Sequence, residues 1–324
     1  MIDRDILKEL IPITDEEQAI LDGRNIVDSS IYSENGDNVI SAKKLLKDGK
    51  LITIRTHTRF IHFPEHTHDF IEVVYMCSGK TTHIINGKAI DLNEGELLFL
   101  GQNAKQEILP ASGNDIAVNF IILPQFFNKT FEMLGAEETP LKKFLIESLF
   151  KEENPGYLHF RVADVLPVQN LIENLLWTLI NNISNKRNIN QTTMGLLFMQ
   201  LLNHTDKLVY QTKEEAAMLQ IFKYIEENYQ NGSLTEVAKL LHYDFYWLSH
   251  EVKNQTGKTY TELLQDKRLA QASYLLKNTK IGIDEISKAV GYENKSYFHR
   301  LFVRHFGISP KKFRDGCISC SNLI

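Results

Sequence analysis

Residues 283–314 read IDEISKAVGYENKSYFHRLFVRHFGISPKKFR, and the spacing within them decides how the C-terminal third folds. Ile283, Ile286 and Val290 recur at helical steps and make one apolar face. Gly291-Tyr292 makes a turn, Asn294 can cap a second helix, Phe298 and Phe302 face inward, and Gly307 ends the unit. About 49 residues upstream the same plan appears. Ser233 and Glu236 form a capping box, and Leu234, Val237, Ala238 and Leu241 share a face. His242-Tyr243 turns the chain, Asp244 can cap, Trp247, Leu248 and Val252 lie on the next helix, and Gly257 closes it. Between the units, Thr259 and Glu262 open a helix from about Tyr260 to Lys277. It is about 27 Å long at 1.5 Å per residue. A rod of that length can set two reading helices about one DNA turn, near 34 Å, apart.

Working outward, the charge follows the same division. The net charge of −5 argues against a uniformly basic nucleic-acid binder. Yet residues 216–315 hold 15 Lys+Arg against 11 Asp+Glu, which leaves 21 against 30 elsewhere. Lys295, Arg300, Arg304, Lys311, Lys312 and Arg314 cluster with no acid among them. A basic module on an acidic partner can still neutralise phosphates locally. A duplicated helix-turn-helix with a stiff spacer and a basic second half points to DNA.

Residues 219–314 resemble the DNA-binding domain of the AraC/XylS family of transcription regulators. The likeness rests on Leu248-Ser249, Lys253 and Thr256-Gly257, on KRLAQASYLL, and on the 283–314 block with Gly291, Phe298, Phe302, Gly307, Pro310 and Arg314. The first unit departs from the family pattern: His242 replaces the turn glycine, Asp244 the serine cap and Val252 a phenylalanine. The resemblance implies base-facing positions at Tyr246, Ser249 and His250, opposite Leu248 and Val252. On the second helix it implies Ser296, Tyr297 and Arg300, with Lys295 near the start. Arg300 can pair with both acceptors of a guanine or contact a phosphate. Arg304, Lys311 and Lys312 suit phosphates or solvent.

Residues from about 50 to 125 read as short strands with turn signals, hence a sandwich or barrel. Asn86-Gly87 is a two-residue hairpin signal, and Asn93-Glu94-Gly95 marks another turn. FPEHTHDFIEVVYMCSG (63–79) carries His66, His68, Glu72 and Gly79 and resembles the first motif of cupin barrels. GELLFLGQNAKQEI (95–108) resembles the second, but Gln106, a poor transition-metal ligand, stands where a histidine belongs. The same stretch resembles the sensor barrels of AraC-type regulators. Three readings stay open: an effector pocket, a structural polar cluster, or a metal site. In LITIRTHTRF (51–60), Arg55, His57 and Arg59 alternate and so share one face, which is either an anion-binding face or a solvated stripe.

From 126 to 214 the pattern turns helical. Val168, Leu171, Ile172, Leu175, Leu176, Leu179, Ile180 and Ile183 form one amphipathic helix, and Met194, Leu197, Leu201 and Leu202 a second. These either cover the barrel or pair with another subunit.

Of the three cysteines, Cys77 reads as a buried small hydrophobe. Cys317 and Cys320 sit in a tail, 317–324, without the further ligands a zinc site needs. No apolar run spans a bilayer and MIDRDILKEL lacks a signal-peptide core, which suggests the cytoplasm.

The expectation is an α+β multidomain protein: a cupin-like β-barrel (1–125), a helical linker or dimerisation region (126–214), and an all-α double helix-turn-helix domain (215–316). It is expected to be a ligand-responsive transcription regulator, an activator of uptake or metabolic genes. Its partners would be promoter DNA, a sugar or anionic metabolite, a second copy of itself, and RNA polymerase. No cofactor, metal or catalytic residue is expected. The competing reading is a cupin metal-dependent enzyme with a helical appendix.

Overall fold

The computed structural model describes all residues except 1, 48, 135–139, 151–155, 182, 210, 211 and 322–324. The chain divides into two compact units, 1–136 with 144–209, and 137–143 with 210–324.

The first unit is a double sheet. Its strands are β1 Val39–Ile40, β2 Ile52–Thr56, β3 Phe63–His68, β4 Ile71–Ser78, β5 Lys80–Ile85, β6 Lys88–Asn93, β7 Leu97–Leu100, β8 Gln106–Ile108, β9 Ile116–Ile122, β10 Tyr157–Phe160 and β11 Leu208–Val209. They order as β1-β3-β8-β5-β6 and β11-β10-β7-β4-β9-β2. The hairpin signal holds: Ile85 pairs with Lys88, and Asn86 (φ 49°) and Gly87 (φ 79°) take the left-handed turn positions.

Strand β4 is buried almost end to end because both its faces are covered. Val74 and Met76 point between the sheets, packing with Ile85, Ile90, Leu92 and Leu98. The other face lies under helices Leu166–Ile180 and Lys186–Asn203. There Tyr75 Oη donates to Gln169 (2.6 Å), and Phe99 meets Phe198 edge-on at 5.6 Å. Cys77 is buried on β4 and free, as expected.

This corrects the expected boundary at 125. The helices bury Val168, Ile172, Leu175, Leu176, Met194, Leu197 and Leu201 in the first unit, and β10 and β11 extend its sheet. Residues 126–214 are therefore not a separate linker: most of them complete the barrel unit. Ile183 lies beyond the end of its helix. The first 46 residues, where the sequence pattern pointed to no particular element, add short helices whose carboxylates matter below.

In the second unit, helix Lys213–Asn228 precedes the pair Leu234–Leu241 and Phe245–Thr256. The rod Tyr260–Asn278 leads to the pair Ile283–Ala289 and Lys295–Phe306, then to Pro310–Ser321. Both expected capping boxes form, Ser233 with Glu236 and Thr259 with Glu262. The last helix runs into the expected tail; the side chains of Cys317 and Cys320 lie outside the described residues.

Candidate functional site

The two candidate reading helices have matched ends. Asp244 Oδ1 accepts from the Trp247 backbone N–H (2.9 Å), and Asn294 Oδ1 from that of Tyr297 (3.0 Å). Gly257 (φ 71°) and Gly307 (φ 76°) close helices of 12 residues each. The turns differ. His242 holds the left-handed position at φ 57° and Gly291 at φ 92°, but one extra residue, Glu293, precedes the second cap. The reading helices are thus offset by one residue more than the helices before them. At this offset Ser249 corresponds to His299, and Tyr297 to Trp247.

Leu248, Val252, Phe298 and Phe302 turn into the core. Tyr246, Ser249 and His250 are exposed on the first helix, as are Ser296, Tyr297, Arg300 and Arg304 on the second. Arg300 and Arg304 have no partner among the described residues. Lys295 forms an exposed ion pair with Asp284 (2.6 Å). Tyr297 Oη accepts from Gln265 on the rod (3.1 Å). The two halves are joined closely. Arg268 donates to the carbonyls of Tyr229 (2.6 Å) and Gln230 (2.7 Å), and Gln230 donates to that of Ala289 (2.8 Å). A Cβ on Gly291 would lie 2.3 Å from the Gln230 carbonyl oxygen, so glycine is required at this seam.

The barrel unit holds a polar cleft. Its lining includes Tyr32, Arg55, His57, His66, Glu72 and Asn119, and it is narrow, with about 30 Å³ of room for a bound group before the side chains move. Strand alternation brings these groups together: Arg55 pairs with Asn119, and Glu72 and Val74 alternate on β4. Asn119 bridges two of them, donating to Glu72 Oε1 (2.8 Å) and facing His57 Nδ1 (3.1 Å). Burial pushes the Glu72 carboxyl up to about 7 and His57 down to about 4. His68 sits 3.6 Å from Glu72 and burial holds it well below its usual range. Neither His68 ring nitrogen nor Glu72 Oε2 has a hydrogen-bond partner.

Arg59 leaves the expected face. β2 ends at Thr56, and Phe60 adopts φ 69°, so alternation stops before Arg59. Its buried guanidinium binds Glu17 twice (2.7 and 2.9 Å) and the carbonyls of Gly113, Ile11 and Pro12. Arg59 is a structural lock, not an effector ligand. Arg55 lines the cleft but already pairs with Glu16 and lies 4.5 Å over the Tyr32 ring. Sequence reading missed Asn119, Tyr32 and both N-terminal glutamates; the capping box Thr14/Glu17 was the available signal for the latter.

The residues do not fit a cupin metal. His66 has both ring nitrogens engaged, with the Pro64 carbonyl (2.7 Å) and Gln106 (3.2 Å), and Gln106 also holds His83 (3.0 Å). Among the described residues no group of three or more His, Cys, Asp or Glu is placed to hold a metal ion.

Residues 49–202 match the family described as AraC-like ligand binding domain, and 237–316 match a helix-turn-helix domain. The HTH-type transcriptional activator RhaS of Mannheimia succiniciproducens is 29% identical over 259 residues, 78% of this chain and 89% of that one. The HTH-type transcriptional activator RhaR of Escherichia coli is 25% identical over 258 residues, 78% and 87% of the two chains. The chain belongs to the AraC/XylS family of transcription regulators. This regulator is a ligand-responsive DNA-binding protein with its ligand-binding domain at the N-terminal end. Among solved structures, an apo ToxT variant from Vibrio cholerae covers 83% of this chain and 98% of its own, at 13% identity and a TM-score of 0.36. No helix among the described residues is long and apolar enough to cross a membrane.

Proposed function

We propose that this AraC/XylS regulator is an activator that reads promoter DNA with Tyr246, Ser249 and His250 on one helix and Ser296, Tyr297 and Arg300 on the other. Lys295 and Arg304 contact phosphates. The observation that carries this reading is the pair of 12-residue helices with matched caps, each turning an exposed face away from its core. The effector occupies the cleft between Arg55, His57, His66, Glu72 and Asn119. Because Arg59 is withdrawn and Arg55 is paired with Glu16, the cleft suits a neutral, hydroxyl-bearing molecule such as a sugar better than an anion. Glu72, whose Oε2 has no hydrogen-bond partner, then supplies an open polar group in the lining, and His68, outside the lining, stands behind it at 3.6 Å.

The chain acts as a homodimer in the cytoplasm and contacts RNA polymerase rather than catalysing a reaction. The exposed Trp177 and Leu196, on the two helices that cover the barrel, support pairing with a second copy. A ligand can act only through differential affinity for two states. The test is gel-shift selection from a promoter pool, repeated with a panel of neutral and anionic sugars. Specific binding that a neutral sugar shifts is expected. No specific complex at moderate salt, with or without ligand, would sink the reading.

A further inference from the structure

The two reading helices carry different chemistry at matched positions. At the one-residue offset, Tyr246 stands where the second helix has Ser296, and His250 stands where it has Arg300. Tyr246 is 81% exposed, the most exposed of the large hydrophobic side chains described. It lies in the first turn of its helix, at the end that reaches base edges in helix-turn-helix docking. Phe245 meets its ring edge-on, centroids 5.6 Å apart at 86°. In the same turn Tyr243 stacks on Trp247 at 4.9 Å, so four aromatic rings lie within five residues. Such a surface is costly in water and has no guanidinium for guanine. The apolar feature of the major groove is the C5 methyl of thymine.

We propose that Tyr246, buttressed by Phe245, reads a thymine methyl, so that the first unit specifies an A·T pair while Arg300 of the second specifies a G·C pair. This rests on the DNA-reading assignment above and deepens it. Phe245, absent from the sequence-based set, becomes a positioning residue for the Tyr246 ring.

Deoxyuridine is the probe, since it removes only the methyl and keeps the base pair. Each thymine in the first unit's half-site is replaced in turn in a selected duplex, and affinity is measured by fluorescence anisotropy with the full chain. At one position the wild type should lose about fourfold, the worth of one buried carbon group. Tyr246→Ala should bind the thymine and uracil duplexes alike, Phe245→Ala should shrink the difference, and Arg300→Ala should keep it. Tyr246 is exposed, so its variant should retain the wild-type thermal midpoint. Sequence-specific binding that ignores every thymine-to-uracil change overturns the proposal, as does a uracil penalty that survives Tyr246→Ala. Loss of all sequence-specific binding in the wild type would instead remove the DNA-reading assignment and this proposal with it.

Discussion

Arg300 and Lys312 carry the same charge but should fail differently when removed. Arg300 sits mid-helix on the exposed face, whereas Lys312 lies in the first turn of the following helix. Arg300→Ala should relax preference at one base pair, at a cost of about 1–3 kcal/mol in discrimination. Lys312→Ala should weaken binding to all sequences alike and lower the salt slope by about one. Titrations against salt on matched and scrambled duplexes separate these; if both variants lose only non-specific affinity, Arg300 is not a reader. In the barrel unit Arg59 and Arg55 divide similarly. Arg59→Ala strands the fully buried Glu17 carboxylate and should cost about 3–5 kcal/mol, read from the urea midpoint. Arg55→Ala, at a partly exposed pair, should alter the effector response instead. An unchanged midpoint in Arg59→Ala would contradict the lock. Strand alternation made Arg55 and His57 legible as neighbours. It could not reveal Arg59, because the end of β2 depends on backbone angles and on Glu17, 42 residues away.

At the scale of elements, the caps and periodicities read from sequence formed as expected, since they depend on residues three or four apart. The turns are where the two units diverge. His242 occupies the left-handed region at φ 57°, ψ 35°, with a Cβ that makes this unfavourable by about 1 kcal/mol or more. His242→Gly should therefore raise the thermal midpoint of the DNA-binding unit by several degrees. Gly291→Ala should lower it, since both its φ of 92° and the Gln230 carbonyl oppose a side chain. Trp247 fluorescence in a Trp177→Phe background reports this unit alone, the chain having two tryptophans. A fall in His242→Gly would mean the imidazole makes a contact that outweighs the strain. The helices at 166–180 and 186–203 showed a clear apolar face in sequence, but a face does not name its partner. Sheet and second subunit offer similar apolar surface, and the packing against Phe99 and Tyr75 answered for the inner side.

Across the barrel unit the buried polar layer makes stability depend on pH. His57, His66, His68 and His83 all have lowered basicity, with burial the main cause. Below pH 6.5 the unfolded rings take up protons that the folded ones refuse, so stability present above that pH is lost on acidification, toward about 4 for His57. Glu72 opposes this. Its carboxyl is raised from 4.5 to about 7, so its contribution is present below 4.5 and lost as pH rises through about 7. Four rings outweigh one carboxyl, and the urea midpoint followed by Trp177 in a Trp247→Phe background should fall between pH 6.5 and 4.5. Glu72→Gln should steepen that fall. A flat profile would show that the rings are not held neutral.

Local sequence was enough for the family, the double helix-turn-helix with its caps, the Asn86-Gly87 hairpin and the shared face of Arg55 and His57. Each of these is encoded by residues near one another in the chain, where spacing and side-chain chemistry suffice. The tertiary structure alone decided that Arg59 is locked onto Glu17, that Asn119 joins His57 to Glu72, and that residues 126–209 belong largely to the barrel unit. Those outcomes depend on which distant groups meet when burial penalises unpaired charges and donors, and local pattern does not record that choice.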